Sequence, residues 1–395
     1  MKNFIFISPN FPTNYWKFCA ELKKNGMNVL GIGDASYDAL PPETRNALTE
    51  YYRVNDMENY EEVFRAVAFF SFKYGKIDWI ESNNEHWLEQ DARLRTDFNV
   101  RTGVGADEIR AYKSKSAMKA FYAAGGVPTA RFRRATTFED ARAFAREVGF
   151  PLIVKPDVGV GAANTWSLHG EDELRGFFEN LPREPYVMEE FVRGDICSFD
   201  AITDGNCNIL FESMTVWPPS IMDIVNFDLD LAYYVSKDIP ETLRTLGRKT
   251  VAAFGARRRF VHLEFFRLTE TREGLGGVGD FVALEVNMRP AGGYTPDMMN
   301  FAHGTDVYQI WADMVVYGER RVPAGTQDCC CVYASRKDGK TYAHTHDEIL
   351  ARYGNRIVMC ERMPELMVRT MGNQMYTAKL DTEDDVRAFI RFVHE

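Results

Sequence analysis

Short apolar runs and amphipathic stretches alternate along the first hundred positions. Residues 3–7 (NFIFI) are apolar and stop at Ser8-Pro9, which predicts a short strand. Residues 13–24 space Trp16, Ala20 and Lys23 or Lys24 by helical turns, and residues 27–32 return to an apolar run ending at Gly33. A helix over about 59–74 with Val63, Val67 and Phe70 on one face, a strand over 77–81 and a helix from Glu85 to about Phe98 complete a small doubly wound βα unit.

The pattern then changes. A helix over about 113–124 is stopped by Gly125-Gly126 and followed by Val127-Pro128, and a second helix over 138–148 leads through Gly149-Phe150-Pro151 into the apolar strand 152–154. A helix over about 171–180 and strands over 186–192, 198–203, 209–216, 261–269 and 281–288 predict an antiparallel sheet. Helices over about 241–254 and 306–317 pack on it as a two-layer α+β region. Short strands and a final helix from near Thr382 fill the segment from about Arg321 onward. No repeat or low-complexity segment interrupts the chain.

With 395 residues, the chain has room for two or three domains at about 150 residues each. A formal charge of -10 makes nucleic acid and anionic membranes poor partners, although residues 101–134 carry eight Lys and Arg against Asp107 and Glu108. No apolar run approaches the ~20 residues of a membrane helix, and the N-terminal twelve residues hold only Phe4 to Ile7 as an apolar stretch, so a cytoplasmic location is expected. The seven cysteines include the adjacent Cys329, Cys330 and Cys331, a spacing that suits a buried strand in a reducing compartment better than disulfides or zinc. The turn after the first strand, Ser8 to Pro12, has no glycine, and Gly159-Val160-Gly161 breaks the Gly-x-Gly-x-x-Gly pattern at Asn164, which argues against a nicotinamide or flavin site.

Three constellations carry candidate chemistry. In the strand around 281–288, alternation sends Glu285, Asn287 and Arg289 to one face and Leu284, Val286 and Met288 to the other. The carboxylate and amide oxygens suit a hard cation such as Mg²⁺, and Glu264 joins them if the strand containing it pairs with this one. Lys115 opens a helix and Lys155 ends a strand, followed by a loop from Gly159 through Gly161 to Ala163 whose small residues let backbone N–H groups approach an anion. The third is Tyr186 to Gly194, an extended segment with Glu189 and Glu190 before Phe191-Val192.

Taken in order, these pieces resemble the ATP-grasp superfamily, specifically its carboxylate-amine ligases, over about residues 1–320. Lys115 to Lys119 with Gly126-Val127-Pro128 resembles the first phosphate-lysine helix, and Pro151 to Pro156 with its small-residue loop resembles the second lysine and phosphate-covering loop. Glu189 to Val192 resembles the adenine hinge, and Glu264 with Glu285-x-Asn287-x-Arg289 resembles the metal and phosphate strands. The resemblance implies an α/β and α+β architecture: an N-terminal Rossmann-like domain (1–110), a small lid subdomain (111–192), a metal and substrate subdomain (193–320) and a C-terminal α+β region (321–395).

It further implies that Lys115, Lys155, Gly159 and Gly161 contact ATP phosphates and that Glu189, Glu190, Phe191 and Val192 lie at the adenine. Glu264, Glu285 and Asn287 would hold Mg²⁺, with Mn²⁺ as an alternative, and Arg289 would steady the transferred phosphoryl group, leaving Arg289 and Lys155 as catalytic cations. The implied reaction is ADP-forming activation of a carboxylate as an acyl phosphate, attacked by an amine. The alternatives are a thiol or other nucleophile, or an ATP-binding regulatory protein without turnover. The implied partners are ATP and small carboxylate and amine substrates, with a homodimer left open. Where many members carry a ribose-binding glutamate this chain has Ile196, which leaves that task to Asp195 or a later side chain. Pro290 to Tyr294 is the expected acceptor turn, residues 214–238, with Trp217, Pro219, Asp223 and Asp228, are expected as an irregular cap, and His303 is expected to be a packed helix-end residue.

Overall fold

The computed structural model of the chain describes residues 1–159, 164–218, 229–325 and 329–395. Sixteen strands fall into three sheets among the described residues. The first contains β1 (Asn3–Ile7), β2 (Asn28–Gly33), β3 (Glu50–Arg53) and β4 (Trp79–Glu81), all parallel in the order β3-β2-β1-β4. All five residues of β1 are buried, as a continuous apolar run covered on both faces requires. Neighbours β2 and β4 leave β1 in opposite directions, so the crevice beyond its C-terminal end is the topological switch point where such sheets bind ligands. Ser8 to Asn10 and Ser82 to Glu85 line up at that end.

β3 was not foreseen from the sequence. Its residues, Glu-Tyr-Tyr-Arg, lack an apolar run because it is an edge strand, half-buried at Glu50, Tyr51 and Tyr52 and exposed at Arg53. The helix expected from Glu85 begins instead as a 3₁₀ turn, Glu85–Trp87, because Asn84 accepts the His86 N–H before the α-helix Leu88–Asp97 starts. Elsewhere helix ends follow capping chemistry: the side chains of Asn59, Thr137 and Thr382 accept from the first-turn N–H groups of Tyr60–Tyr74, Phe138–Val148 and Glu383–His394.

The second sheet is antiparallel, with β5 (Phe132–Arg134), β6 (Leu152–Pro156), β7 (Trp166–Leu168) and β8 (Tyr186–Glu190) in the order β5-β8-β6-β7. The third has eight strands: β9 (Gly194–Thr203), β10 (Ile209–Trp217), β11 (Ala232–Val235), β12 (Arg259–Leu268), β13 (Phe281–Asn287), β14 (Cys330–Arg336), β15 (Ile357–Arg362) and β16 (Gln374–Leu380), in the order β13-β12-β9-β10-β11-β14-β16-β15. The short strands after residue 321 join this sheet: β14 pairs with β11 and so continues the sheet that begins at β13. Within the segment expected to be irregular, β11 is regular and pairs with β10 and β14, while Pro219, Asp223 and Asp228 lie outside the described residues. Of the cysteine triplet, Cys330 and Cys331 open β14, all of whose seven residues are buried, and enter different apolar clusters, while Cys329 is buried just before the strand; all seven cysteines are free. No helix among the described residues is long and apolar enough to cross a membrane.

Candidate active site

The helix Lys115–Ala124 and strand β6 meet through a residue between them in function but not in sequence. Asp157, just past β6, accepts from the Ser116 N–H at 2.7 Å and from the Ser114 and Ser116 hydroxyls at 2.9 and 3.0 Å, while its own carbonyl takes the Lys115 N–H at 2.8 Å. A carboxylate at a helix N-terminus satisfies unpaired N–H groups and matches the helix dipole. This pins Lys115 beside the end of the strand that carries Lys155, although forty positions separate the two. Both lysines are buried, at 6% and 7% exposure. Lys115 Nζ lies 3.2 Å from the Gly159 carbonyl and 3.2 Å from Glu285 Oε1, and Lys155 Nζ lies 2.6 Å from Glu189 Oε2.

Lys119 was missed in the sequence. It follows Lys115 by one helical turn, the i,i+4 spacing that puts two side chains on one face, and that spacing is the signal that could have found it. Its Nζ is 2.7 Å from Glu189 Oε1 and also bonds the Thr129 hydroxyl and the Ala130 carbonyl. Glu189 therefore bridges two buried ammonium groups. Burial alone would raise its pKa, but Lys155 and Lys119 outweigh burial and hold it down to about 2. Burial pulls Lys155 down, yet Glu189, with Glu285 and Glu264 behind it, leaves the ammonium above its ordinary value. Lys119 ends below its ordinary value because burial prevails over the same carboxylate.

Strands β12 and β13 pair antiparallel with Glu264 opposite Glu285 and His262 opposite Asn287. The acidic pairing is unequal. Burial and the neighbouring Glu264 push Glu285 up against the pull of Lys115 and Lys155, whereas His262, Arg289 and Lys115 overcome burial and hold Glu264 down. Behind Glu264, the His262 ring bridges Asp200 (Nδ1, 2.7 Å) and Glu264 (Nε2, 3.2 Å), and the fully buried Asp200 also takes the Ser198 and Thr215 hydroxyls. The Asn287 amide nitrogen donates to Glu264 at 3.4 Å and its oxygen accepts from Arg289 at 3.5 Å, beside two facing carboxylates whose mutual repulsion a divalent cation would relieve. The residues present fit Mg²⁺.

Arg289 Nε lies 3.5 Å from Glu85 Oε2, and Glu85 in turn bonds Lys113 at 2.8 Å, so the end of β13 reaches across to the switch point of the N-terminal sheet. Beyond Arg289, the Gly293 carbonyl accepts from Asn14, and Gly293 has φ +62, with Met371 Cε only 2.8 Å from where a Cβ would stand. Half-buried Trp217 stacks on Tyr233 at 6.1 Å and meets the His262 ring edge-on at 5.4 Å, giving the acids an aromatic flank. His303 ends the helix Thr295–His303 and bonds Ser213 at 2.8 Å, a packed position.

The segment expected at the adenine splits by strand alternation. Glu189 faces the lysines. Glu190 turns to the opposite side, where Arg131 and Arg272 grip its carboxylate at 2.7 and 3.2 Å and tie the second sheet to the hairpin between β12 and β13. Phe191 lies against the Arg193 guanidinium, and the Val192 side chain packs with Ala130, Leu268 and Val282, so what Glu190 and Val192 have to offer a bound base is backbone. Asp195 is exposed and Ile196 pairs with Trp217 and Phe266. At Gly159 a Cβ would make only an ordinary contact with Pro156, 3.7 Å away, and Gly161 lies outside the described residues.

A four-stranded antiparallel sheet and an adjoining helix that bring one lysine each over a pair of acidic strands in a larger antiparallel sheet, preceded by a parallel βα unit, make the ATP-grasp fold, and the chain adopts it. No protein-family model matches the sequence. It is 24% identical over 276 residues to the L-arginine-specific L-amino acid ligase of Bacillus subtilis, a match covering 67% of this chain and 64% of that protein. It is 26% identical over 149 residues to the alanine–anticapsin ligase of Bacillus subtilis, covering 34% of this chain and 30% of that one. Among solved structures, the L-amino acid ligase from Bacillus licheniformis superposes with a TM-score of 0.73 at 16% identity, covering 100% of this chain and 97% of that one. The matched stretch thus spans less than two thirds of the first relative's own length.

Proposed function

We propose that this chain is an ATP-dependent, ADP-forming ligase that joins the carboxylate of one amino acid or small peptide-like acid to the amine of another. The observation that carries this reading is the placement of Lys115 and Lys155, locked together by Asp157, against the facing Glu264 and Glu285. Cations for phosphate oxygens and acids for a metal then share one buried space. The chain's likeness to amide-forming ligases supports the same conclusion.

A carboxylate is a poor electrophile because its leaving group would be oxide. In the proposed reaction its oxygen attacks the γ-phosphorus of ATP, the bond to the β-phosphate oxygen breaks, and ADP leaves. A neutral amine then attacks the acyl carbon, inorganic phosphate departs, and the nitrogen loses its proton as the amide forms. Lys115 and Lys155 hold phosphate oxygens, and Arg289 meets the charge on the transferred phosphoryl group. Glu264, Glu285 and Asn287 would hold Mg²⁺, which supplies charge neutralisation on the phosphates. Glu189 is the resident counter-charge of Lys155, keeping that ammonium protonated and pointed into the site before ATP arrives. The backbone of residues 190–192 receives the adenine, and the aromatic flank of Trp217 and Tyr233 gives an amino-acid side chain an apolar surface beside the reacting centre.

The test is ADP release with pooled amino acids and small acids, comparing the parent with Glu285→Gln. Turnover dependent on an acid and an amine, abolished in the variant while ATP still binds, is expected. ATP binding without ADP release for any pair would replace the ligase with a nucleotide-binding regulator.

A further inference from the structure

A cleft of about 610 Å³ borders Met288, just past the end of β13, and is lined by none of Lys115, Lys119 and Lys155. That is the size of a small-molecule site. It is walled by the stretch from Arg95 to Glu108, by the turn from Gly255 to Arg259 and by Met288. Its floor holds two arginines that are almost fully buried, Arg95 at 1% exposure and Arg259 at 3%. Both reach Glu81, and each spends further N–H groups on carbonyls: Arg95 on Ile80 and Val104, Arg259 on Met288. One nitrogen of each is left over. Arg95 Nη2 and Arg259 Nε are buried without a hydrogen-bond partner among the described residues, a costly state for a charged donor.

The rim adds Arg101, Arg257 and Arg258, all exposed and none in an ion pair among the described residues. Arg258 is held at φ +55, where a non-glycine residue is strained, by its N–H on the Asp204 carbonyl. The opposing charges on the lining are Asp107 and Glu108, and Glu108 is turned back onto the Gly105 N–H at 3.3 Å. Five lining arginines against Asp107, Glu108 and the Glu81 carboxylate beneath the floor leave an excess of two positive charges in a chain whose net charge is -10.

We infer that this cleft is a binding site for a small anion bearing two or more phosphoryl groups, separate from the nucleotide site. The guanidinium groups come from two separate stretches of chain, 95–101 and 257–259, and border one volume. A carboxylate presents two coplanar oxygens that a single fork satisfies, whereas a phosphoryl group presents three oxygens in different directions and so uses forks arriving from several sides. None of the lysines over β12 and β13 lines this cleft. Its wall nevertheless touches the site, because Arg259 holds the carbonyl of Met288, the residue between Asn287 and Arg289. An anion that recruits Arg259 therefore acts on the strand that presents Arg289.

Titration calorimetry of the full chain with inorganic pyrophosphate, without nucleotide or metal, tests this. Binding is expected to weaken by about tenfold or more in the exposed double variant Arg257→Ala/Arg258→Ala, and by a similar factor in Arg101→Ala on the opposite wall, while Lys155→Ala keeps it. Citrate is expected to bind at least about tenfold more weakly than pyrophosphate. The inference is overturned if pyrophosphate fails to bind at about 10 mM, if its binding is lost in Lys155→Ala and retained in the arginine variants, or if citrate binds as tightly. None of these outcomes depends on ligase turnover.

Discussion

Replacing Glu189 by Gln keeps the shape of the side chain and removes its charge, and the structure allows the cost to be worked out two ways. In the parent, the carboxylate is 5% exposed and sits 2.7 Å from Lys119 and 2.6 Å from Lys155. A folded-state pKa near 2 against an ordinary 4.5 corresponds to about 3 kcal/mol of stability at neutral pH. Breaking a buried ion pair by removing one partner costs about 3–5 kcal/mol by an independent route, because the other charge stays behind. The two agree, and the loss falls mainly on Lys155: Lys119 keeps the Thr129 hydroxyl and the Ala130 carbonyl, whereas Glu189 is the ion-pair partner of Lys155 among the described residues. Since the folded pKa is depressed, this stability is fully present above pH 4.5 and is lost as the pH falls through about 2. Urea titrations of parent and Glu189→Gln should therefore differ by about 3 kcal/mol, with the same difference from about pH 6 to pH 8 and an unchanged m value. MgATP should restore more stability to the variant than to the parent, because its phosphates then meet an ammonium that has lost its counter-charge. A loss below about 1 kcal/mol would place the pair in the range of solvent-screened surface bridges and refute the claim that Glu189 holds these lysines.

Asp157→Ala should weaken ATP binding more than tenfold by about 2 kcal/mol, measured by calorimetry, because three hydrogen bonds joining the Lys115 helix to the Lys155 strand disappear. His303 is held down to about 4, by burial first and Arg320 second, so its contribution is complete above pH 6.5 and is lost as the pH falls from there toward 4. His303→Gln, which can still bond Ser213, should flatten that stretch of the stability-against-pH curve in urea titrations. Gly247→Ala should destabilise the fold by about 3 kcal/mol in the same assay, since the added Cβ would stand 2.3 Å from the Phe199 ring carbon. A neutral result would mean that the helix Glu241–Ala253 can lift from β9.

The elements that were legible in the sequence are those whose pattern is local. The run NFIFI at β1, the capped helices Tyr60–Tyr74 and Phe138–Val148, and the alternation in β13 that places Glu285 and Asn287 on one face all depend on neighbours within a few positions. The pairing of Glu264 with Glu285 was legible as a condition, since a glycine-rich connection made a hairpin of β12 and β13 the simplest arrangement, and the register meets it. What stayed hidden depends on distant partners. Nothing near Lys119 or Asp157 says that one will meet Glu189 and the other will cap a helix forty positions earlier. The four residues of β11 are too few to show a period, and β14 could be assigned to the central sheet only by knowing that β11 stood at its edge.

That continuity of the large sheet bears on how the protein can be cut or recombined. A chain shortened near residue 320 would lose β14, β16 and β15 and leave β11, four residues with no exposed side chain, as a bare edge of apolar Ala-Tyr-Tyr-Val. Unpaired edges of that composition recruit strands from other chains. Residues 330–336 therefore cover an edge that would otherwise recruit strands, and a chimaera that replaces them must bring a strand able to pair with residues 232–235.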